Sequence, residues 1–299
     1  MKKNRFKLKL TVVASCLMMA TPYTAMADAS LKLVSNSDSH QIEAAQLLTQ
    51  PLPMPTADRL VSYKHKGIAI EDKQGKQLSL LKGNFGLIDQ RFVDKGLLVS
   101  TVDVDRQQAM VAVFDKKTQQ WSTPVYLPQP AFKIDGVCLY QDQAHNGFMF
   151  LVGEEGHGEQ WLVADAESPI AQPKLIRSLS TPPNSEYCQV DDKQSLMYIN
   201  EENVGIWAYQ AHPEADLIRE PVALTQPFGQ LTESALGMAI VPGGLLMLDS
   251  EAKTLHAYLN NDRKWQHQAE FPLADLSDPE NISARITDKQ LTIMVKHDD

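Results

Sequence analysis

Carboxylates recur at one place in a repeating pattern of this 299-residue chain. Asp89 in Ile88-Asp-Gln-Arg91, Asp135 before Gly136, Glu186 before Tyr187 and Glu280 before Asn281 all belong to the heads of short apolar runs. In a fifth such unit Leu236 takes the place, before Gly237. Glu155 in the Gly153-Glu-Glu-Gly156 turn, and Glu201 and Glu202 after Ile199, could add ligands from neighbouring turns. Gathered carboxylates repel unless a cation joins them, and a hard, oxygen-only donor set suits calcium. Other chemistries lack their residues. There is no nucleophile elbow, no phosphate loop and no histidine pair at zinc-ligand spacing. His65, His145, His157, His212, His256 and His267 are scattered, and most read as ordinary surface residues.

The elements that must carry these acids are short strands. Glu186 to Val190, Leu196 to Ile199 and Gly205 to Tyr209 read as three in succession, with polar turns at Asp191-Asp-Lys-Gln194 and Glu201-Glu-Asn203. The same unit, an apolar strand, a polar turn and a strand ending near an aromatic, appears five times between Leu60 and Tyr258. Its second strands, at Ile68, Val111, Trp161, Trp207 and His256, are 43, 50, 46 and 49 residues apart. Each unit has a further strand before and after, and four strands at this period predict an all-β fold, a β-propeller. A β-sandwich of this length would not require the period. Glu280 to Ile286 and Gln290 to Val295 read as the first two strands of another blade. The expectation is therefore six blades, the last composite or incomplete, with the segment around Leu60 the candidate to close the ring. An open ring would expose strand edges and favour pairing with a second domain or chain. Residues 28–57, polar and carrying Pro51, Pro53 and Pro55, read as a lead-in segment, and 58–299 as the propeller domain.

Lys2, Lys3, Arg5, Lys7 and Lys9, then an apolar run from Leu10 to Ala20 and Ala25-Met26-Ala27, predict a signal peptide over 1–27 cleaved before Asp28, and hence a periplasmic or secreted protein. The alternative is lipidation at Cys16 and an outer-membrane lipoprotein. No other run is long enough to span a membrane. Removing the leader leaves 23 basic against 37 acidic residues, a charge of −14. Such a charge disfavours nucleic acid and anionic membranes, and an anionic ligand would need a bridging cation. Cys138 and Cys188 survive processing, as a disulfide or as two buried thiols. Cys138 lies three residues after Asp135 and Cys188 two after Glu186, in adjacent units, so convergence of inner strands predicts a bond between them.

From about Lys64 to Tyr258 the chain resembles the β-propeller phytases. Glu186-Tyr-Cys-Gln-Val-Asp-Asp192 and Leu196-Met-Tyr-Ile-Asn-Glu-Glu-Asn-Val-Gly-Ile-Trp207 look like that family's Glu-Gly-Cys/Met-x-x-Asp-Asp-Glu and Leu-Tyr-Ile-Ala-Glu-Glu-Asp-x-x-Ile-Trp. Gly136-Val-Cys-Leu-Tyr140, Gly153-Glu-Glu-Gly-His-Gly-Glu-Gln160, Lys66-Gly-Ile68 and Ile88-Asp-Gln-Arg91 are similar to further family segments in the same order. The resemblance implies calcium-dependent hydrolysis of phytate or another phosphomonoester. It implies calcium at Asp89, Glu155, Glu186 and Glu201, catalytic roles for Lys64, Glu186 and Glu201, and phosphate contacts from Lys64 and Arg91.

Three positions depart from the family pattern. Glu154 stands where the family has a phosphate-binding lysine, Asp135 where it has a tyrosine, and Leu236 where it has a glutamate. The chain looks like the incomplete domain that precedes a full phytase domain in some two-domain members. That leaves a second reading beside the hydrolase: a non-catalytic propeller that binds calcium or phytate, or pairs with an active domain.

Overall fold

A computed structural model describes residues 30–36, 41–165, 168, 172–232, 235–262, 264–287 and 290–297. The expected leader over 1–27, with Cys16, lies outside them. No described helix is long and apolar enough to cross a membrane.

Six sheets are arranged as blades. The first holds β2 (Ile42–Leu47), β3 (Ala57–Tyr63), β4 (Gly67–Asp72) and β5 (Gln77–Lys82). The second holds β6 (Phe85–Val93), β7 (Gly96–Asp103), β8 (Gln108–Asp115) and the short β9 (Gln120–Trp121) and β10 (Val125–Tyr126). The third runs β11 (Gly136–Gln141), β12 (Gly147–Gly153), β13 (His157–Ala164), β14 (Lys174–Ser180). The fourth runs β15 (Cys188–Asp191), β16 (Leu196–Glu201), β17 (Gly205–Gln210), β18 (Glu220–Leu224), and the fifth β19 (Ala235–Val241), β20 (Gly244–Asp249), β21 (Thr254–Asn261), β22 (Lys264–Pro272). The sixth joins β23 (Pro279–Thr287) and β24 (Gln290–His297) to β1 (Ser30–Asn36), which runs parallel to β24 from Ser30 opposite Gln290 to Asn36 opposite Lys296. The fold is thus an all-β propeller with a composite last blade.

Two expectations are corrected here. Residues 28–57 are not only a lead-in, because they supply β1 and the innermost strand of the first blade, β2. The ring closes through β1 rather than through the segment around Leu60, which lies in β3.

Burial grades outward along each blade, and the sequence follows it. Second strands such as Gly96-Leu-Leu-Val-Ser-Thr-Val-Asp103 and Gly147-Phe-Met-Phe-Leu-Val-Gly153 are buried at every position, because neighbouring blades cover both faces. The outermost Lys264-Trp-Gln-His-Gln-Ala-Glu-Phe-Pro272 alternates exposed and half-buried residues, as a strand with one wet face should. Apolar clusters fill each seam: Phe85, Leu97 and Phe114 between the first two blades, Tyr140, Phe150 and Ile199 between the third and fourth, and Ile42, Val61 and Met294 where the ring closes. The closing seam is also tied by polar contacts. Arg285 donates to Asp58 Oδ1 at 2.7 Å, and the Leu47 amide donates to Ser283 Oγ at 2.9 Å.

Glycine is required where the third strand leaves its turn. Gly67 (φ 124°) and Gly205 (φ 143°) pass so close to the outer strand that a Cβ would lie 2.0 Å from the Leu81 carbonyl oxygen and 2.1 Å from that of Ala223. These turns, between second and third strands, share one end of the ring with the heads of the inner strands.

Candidate functional site

At that end the inner strands surround a narrow cavity lined by Ala44, Ile88, Val137, Glu186, Met238 and Ile282, among others. Glu186 is the one charged residue in its lining among the described residues. The chain brings Glu186 there through Asn200, whose Oδ1 accepts from the Glu186 and Tyr187 amides at 2.9 and 2.7 Å. The two adjacent turns are tied to the same place. The Glu154 amide donates to Asp135 Oδ2 at 3.1 Å, the Asn184 amide to the Glu154 carbonyl at 2.7 Å and the Glu202 amide to the Asn184 carbonyl at 3.1 Å. Asp135, Glu154, Glu186 and Glu202 therefore gather over the seam of the third and fourth blades.

Their electrostatics are uneven. Glu43 has Lys64 Nζ at 3.9 Å, Glu280 is paired with Lys296, and Asp135 and Glu154 share Lys133, the latter at 3.6 Å. Glu186 has no basic group at ion-pair distance among the described residues. Burial pushes its carboxyl above the usual range, and Glu202, Glu154 and Asp135 push it further, with Lys133 opposing. Tyr187 beside it is pushed up to about 12 by burial and by the charges of Glu186 and Glu280.

The site residues expected from sequence divide sharply. Glu186 is at the centre. Lys64 is exposed in the first blade's turn at the same end, and Glu155 is exposed in the turn of the third. Glu201 turns onto its own blade, where its Oε2 accepts from Trp207 Nε1 at 2.6 Å and lies 3.4 Å from Arg219. Its neighbour Glu202 faces Glu186 instead. Asp89 is buried farther down its strand, at the level of the next blade's Leu139, whose amide donates to it at 2.7 Å. Arg91 does not face phosphate. Its Nε reaches Asp192 at 2.7 Å, one terminal nitrogen reaches Asp89 and the Gln90 carbonyl, and the other the Leu139 and Val190 carbonyls. Burial opposes the charge, but Asp192 and Asp89 more than offset it and raise the Arg91 pKa. Five donors with five internal acceptors leave none for a ligand.

Asp89, Glu155, Glu186 and Glu201 thus do not form one ligand set. Among the described residues, no three acids have ligand atoms within 4.8 Å of one another. The donor set that fits a hard cation is Glu186 with Glu202, Glu154 and Asp135: all oxygen, strongly anionic and open to solvent on one side. No three of their ligand atoms are in mutual reach, so these carboxylates would have to close on the ion. The structure also joins Cys138 to Cys188 in a disulfide, Cα to Cα 5.7 Å, between the inner strands that carry Asp135 and Glu186 at their heads.

Comparisons with known proteins agree with this architecture. The Cps50 (Swd1) β-propeller domain of Myceliophteria thermophila superposes with a TM-score of 0.55 over 81% of this chain and 76% of its own, at 10% identity, which supports the fold alone. A 3-phytase of Bacillus subtilis (strain 168) is 25% identical over 240 residues, 74% of this chain and 62% of its own length. The chain thus spans less than two thirds of that relative. The sequence profile described as Phytase matches residues 25–288, nearly the whole chain. This chain belongs to the phytase family.

Proposed function

We propose that this chain is an exported phosphomonoester hydrolase of the phytase type, working with calcium at the Glu186 cluster. The observation that carries the reading is Glu186 itself: half-buried at the mouth of the cavity, close to three acids and, among the described residues, with no basic group at ion-pair distance. Calcium bound there would neutralise phosphate charge and make a bound water more acidic. Glu186, Glu202, Glu154 and Asp135 would hold it. Lys64, with His65 and Lys66 in the same turn, offers positive charge across the mouth for a second phosphate of a polyanion such as phytate. Lys133, already shared by Asp135 and Glu154, keeps part of the cluster neutral until substrate arrives.

A specific observation favours the second reading, a propeller that binds calcium and phytate without turnover or in company with an active domain or chain. Glu154 takes up part of Lys133 and is an acid where the resemblance implies a phosphate-binding lysine, while Arg91 has no donor to spare. The sixth blade has three described strands where the first and the third to fifth have four, an edge that a second domain could extend. Phosphate release from phytate, measured in calcium and in chelator, separates the two. Release in calcium that stops in chelator is expected. Calorimetric binding of calcium and phytate with no phosphate released would replace the hydrolase with the binding propeller.

A further inference from the structure

The fifth blade holds a second constellation of metal-type ligands, distinct from the acid cluster. His256 on β21 is 3% exposed and lies directly opposite Glu270 on β22. A register shift between Ala257 and Tyr258 brings His267, also on β22, against the same spot. His256 Nδ1 is 3.2 Å from His267 Nε2 and 3.8 Å from Glu270 Oε1, and His267 Nε2 is 3.7 Å from Glu270 Oε1. These three are the one group of metal-type ligands within mutual reach among the described residues.

The distances have a chemical meaning. A point equidistant from three atoms with these separations lies about 2.1 Å from each, the length of a zinc–imidazole or zinc–carboxylate bond. Calcium would need longer bonds and more oxygens than the spot provides. Behind the buried ring, His256 Nε2 has no hydrogen-bond partner and faces the Asp249 carboxylate at 4.0 Å. A shift of about 1 Å would give the imidazole–carboxylate hydrogen bond that commonly orients a metal-binding histidine. Asp249 is fixed for that role, since its oxygens accept from the Thr232 and Ala252 amides at 2.5 and 3.0 Å. Tyr258 packs edge-on to the His267 ring at 5.0 Å and limits its swing. A proton shared between the two imidazoles, with Glu270 as its counter-ion, would explain those contacts, but it leaves the buried His256 Nε2 and the Asp249 behind it without a role.

We propose that His256, His267 and Glu270 form a site for a zinc-type divalent ion, with a fourth position open to solvent. Glu270 is about half exposed, 52% for its side chain, so the ion can enter from the surface and keep a water or an external ligand. Bound there, it would fasten the outermost strand of the blade to its neighbour.

The test is calorimetry of the metal-free protein with zinc chloride, in excess calcium so that hard-cation sites are filled. Wild type and Glu186→Gln should each bind one zinc. His267→Ala should bind about 100-fold more weakly, because it loses a direct ligand where even supporting groups cost 10–100-fold. Glu270→Gln, which preserves shape, should also weaken binding and guards against a folding defect in the alanine variant. Zinc should raise the melting temperature of wild type and raise that of His267→Ala much less at the same concentration. Absence of zinc binding in wild type, unchanged affinity in both blade-five variants, or loss of zinc in Glu186→Gln would each overturn the proposal.

Discussion

Replacing Arg91 with Met should lower the unfolding free energy by about 3–5 kcal/mol, the cost of leaving buried charge without its partner. Arg91 is held between Asp89 and Asp192, with side-chain exposures of 16%, 4% and 31%, and it bridges carbonyls from the inner strands of the third and fourth blades. Its removal would leave the buried Asp89 charge with only the Gln90 and Leu139 amides and loosen three blades at once. Adding Asp89→Asn should recover part of the loss, since the orphaned charge goes with it. Denaturant titration of the three proteins reads the effect. If Arg91 were instead a phosphate ligand, Arg91→Met would keep near-native stability and lose only phytate affinity, which contradicts the internal role.

Loss of the disulfide should be nearly as costly. The bond closes a separation of 50 residues between adjacent inner strands, and chain-entropy arguments put such a loop at about 4 kcal/mol. Cys138 and Cys188 are also fully or almost fully buried among Tyr140, Phe150 and Ile199, so the double Cys138→Ala, Cys188→Ala variant loses packing as well. It should unfold at a clearly lower denaturant midpoint than the oxidised wild type, while reduced wild type falls between them. The strands it joins carry Asp135 and Glu186, so calcium affinity should fall too. An unchanged midpoint, or free thiols in the unreduced protein, would contradict this.

The repeat was legible because second strands are buried on both faces and appear as continuous apolar runs such as Leu245-Leu-Met-Leu248. The first inner strand was not, and its composition explains why. Ile42-Glu-Ala-Ala-Gln-Leu47 faces a narrow cavity with small side chains, so its apolar signal is weak and the prolines after it suggest a linker. Ser30–Asn36 pairs with the far end of the chain, a partner that local pattern cannot reveal. Recurrence located Asp135, Glu186 and Glu280 at the heads of their strands. It could not tell Glu201 from Glu202, because adjacent residues at a turn point different ways and only the Trp207 and Arg219 contacts decide which is withdrawn. Asp89 reads as a strand head because the apolar run is taken from Ile88, whereas β6 begins earlier, at Phe85, and carries Asp89 further along. His256 and His267 read as surface residues because their spacing fits no local motif, yet His256 is buried. Pairing between β21 and β22 brings them together.

The central claim is that the carboxylates around Glu186 hold calcium, and the melting temperature of wild type and Glu186→Gln in chelator and in millimolar calcium tests it most directly. A carboxyl whose pKa is raised by folding costs nothing at pH below the ordinary carboxylate range and destabilises increasingly as pH rises through the raised value. At neutral pH in chelator, Glu186→Gln should therefore melt above wild type. Calcium reverses the balance, because it stabilises the form that binds it and its affinity depends on ligand charge. Wild type should gain substantially on adding calcium and the variant much less. Equal gains in the two proteins, or none in either, would contradict a calcium site at Glu186.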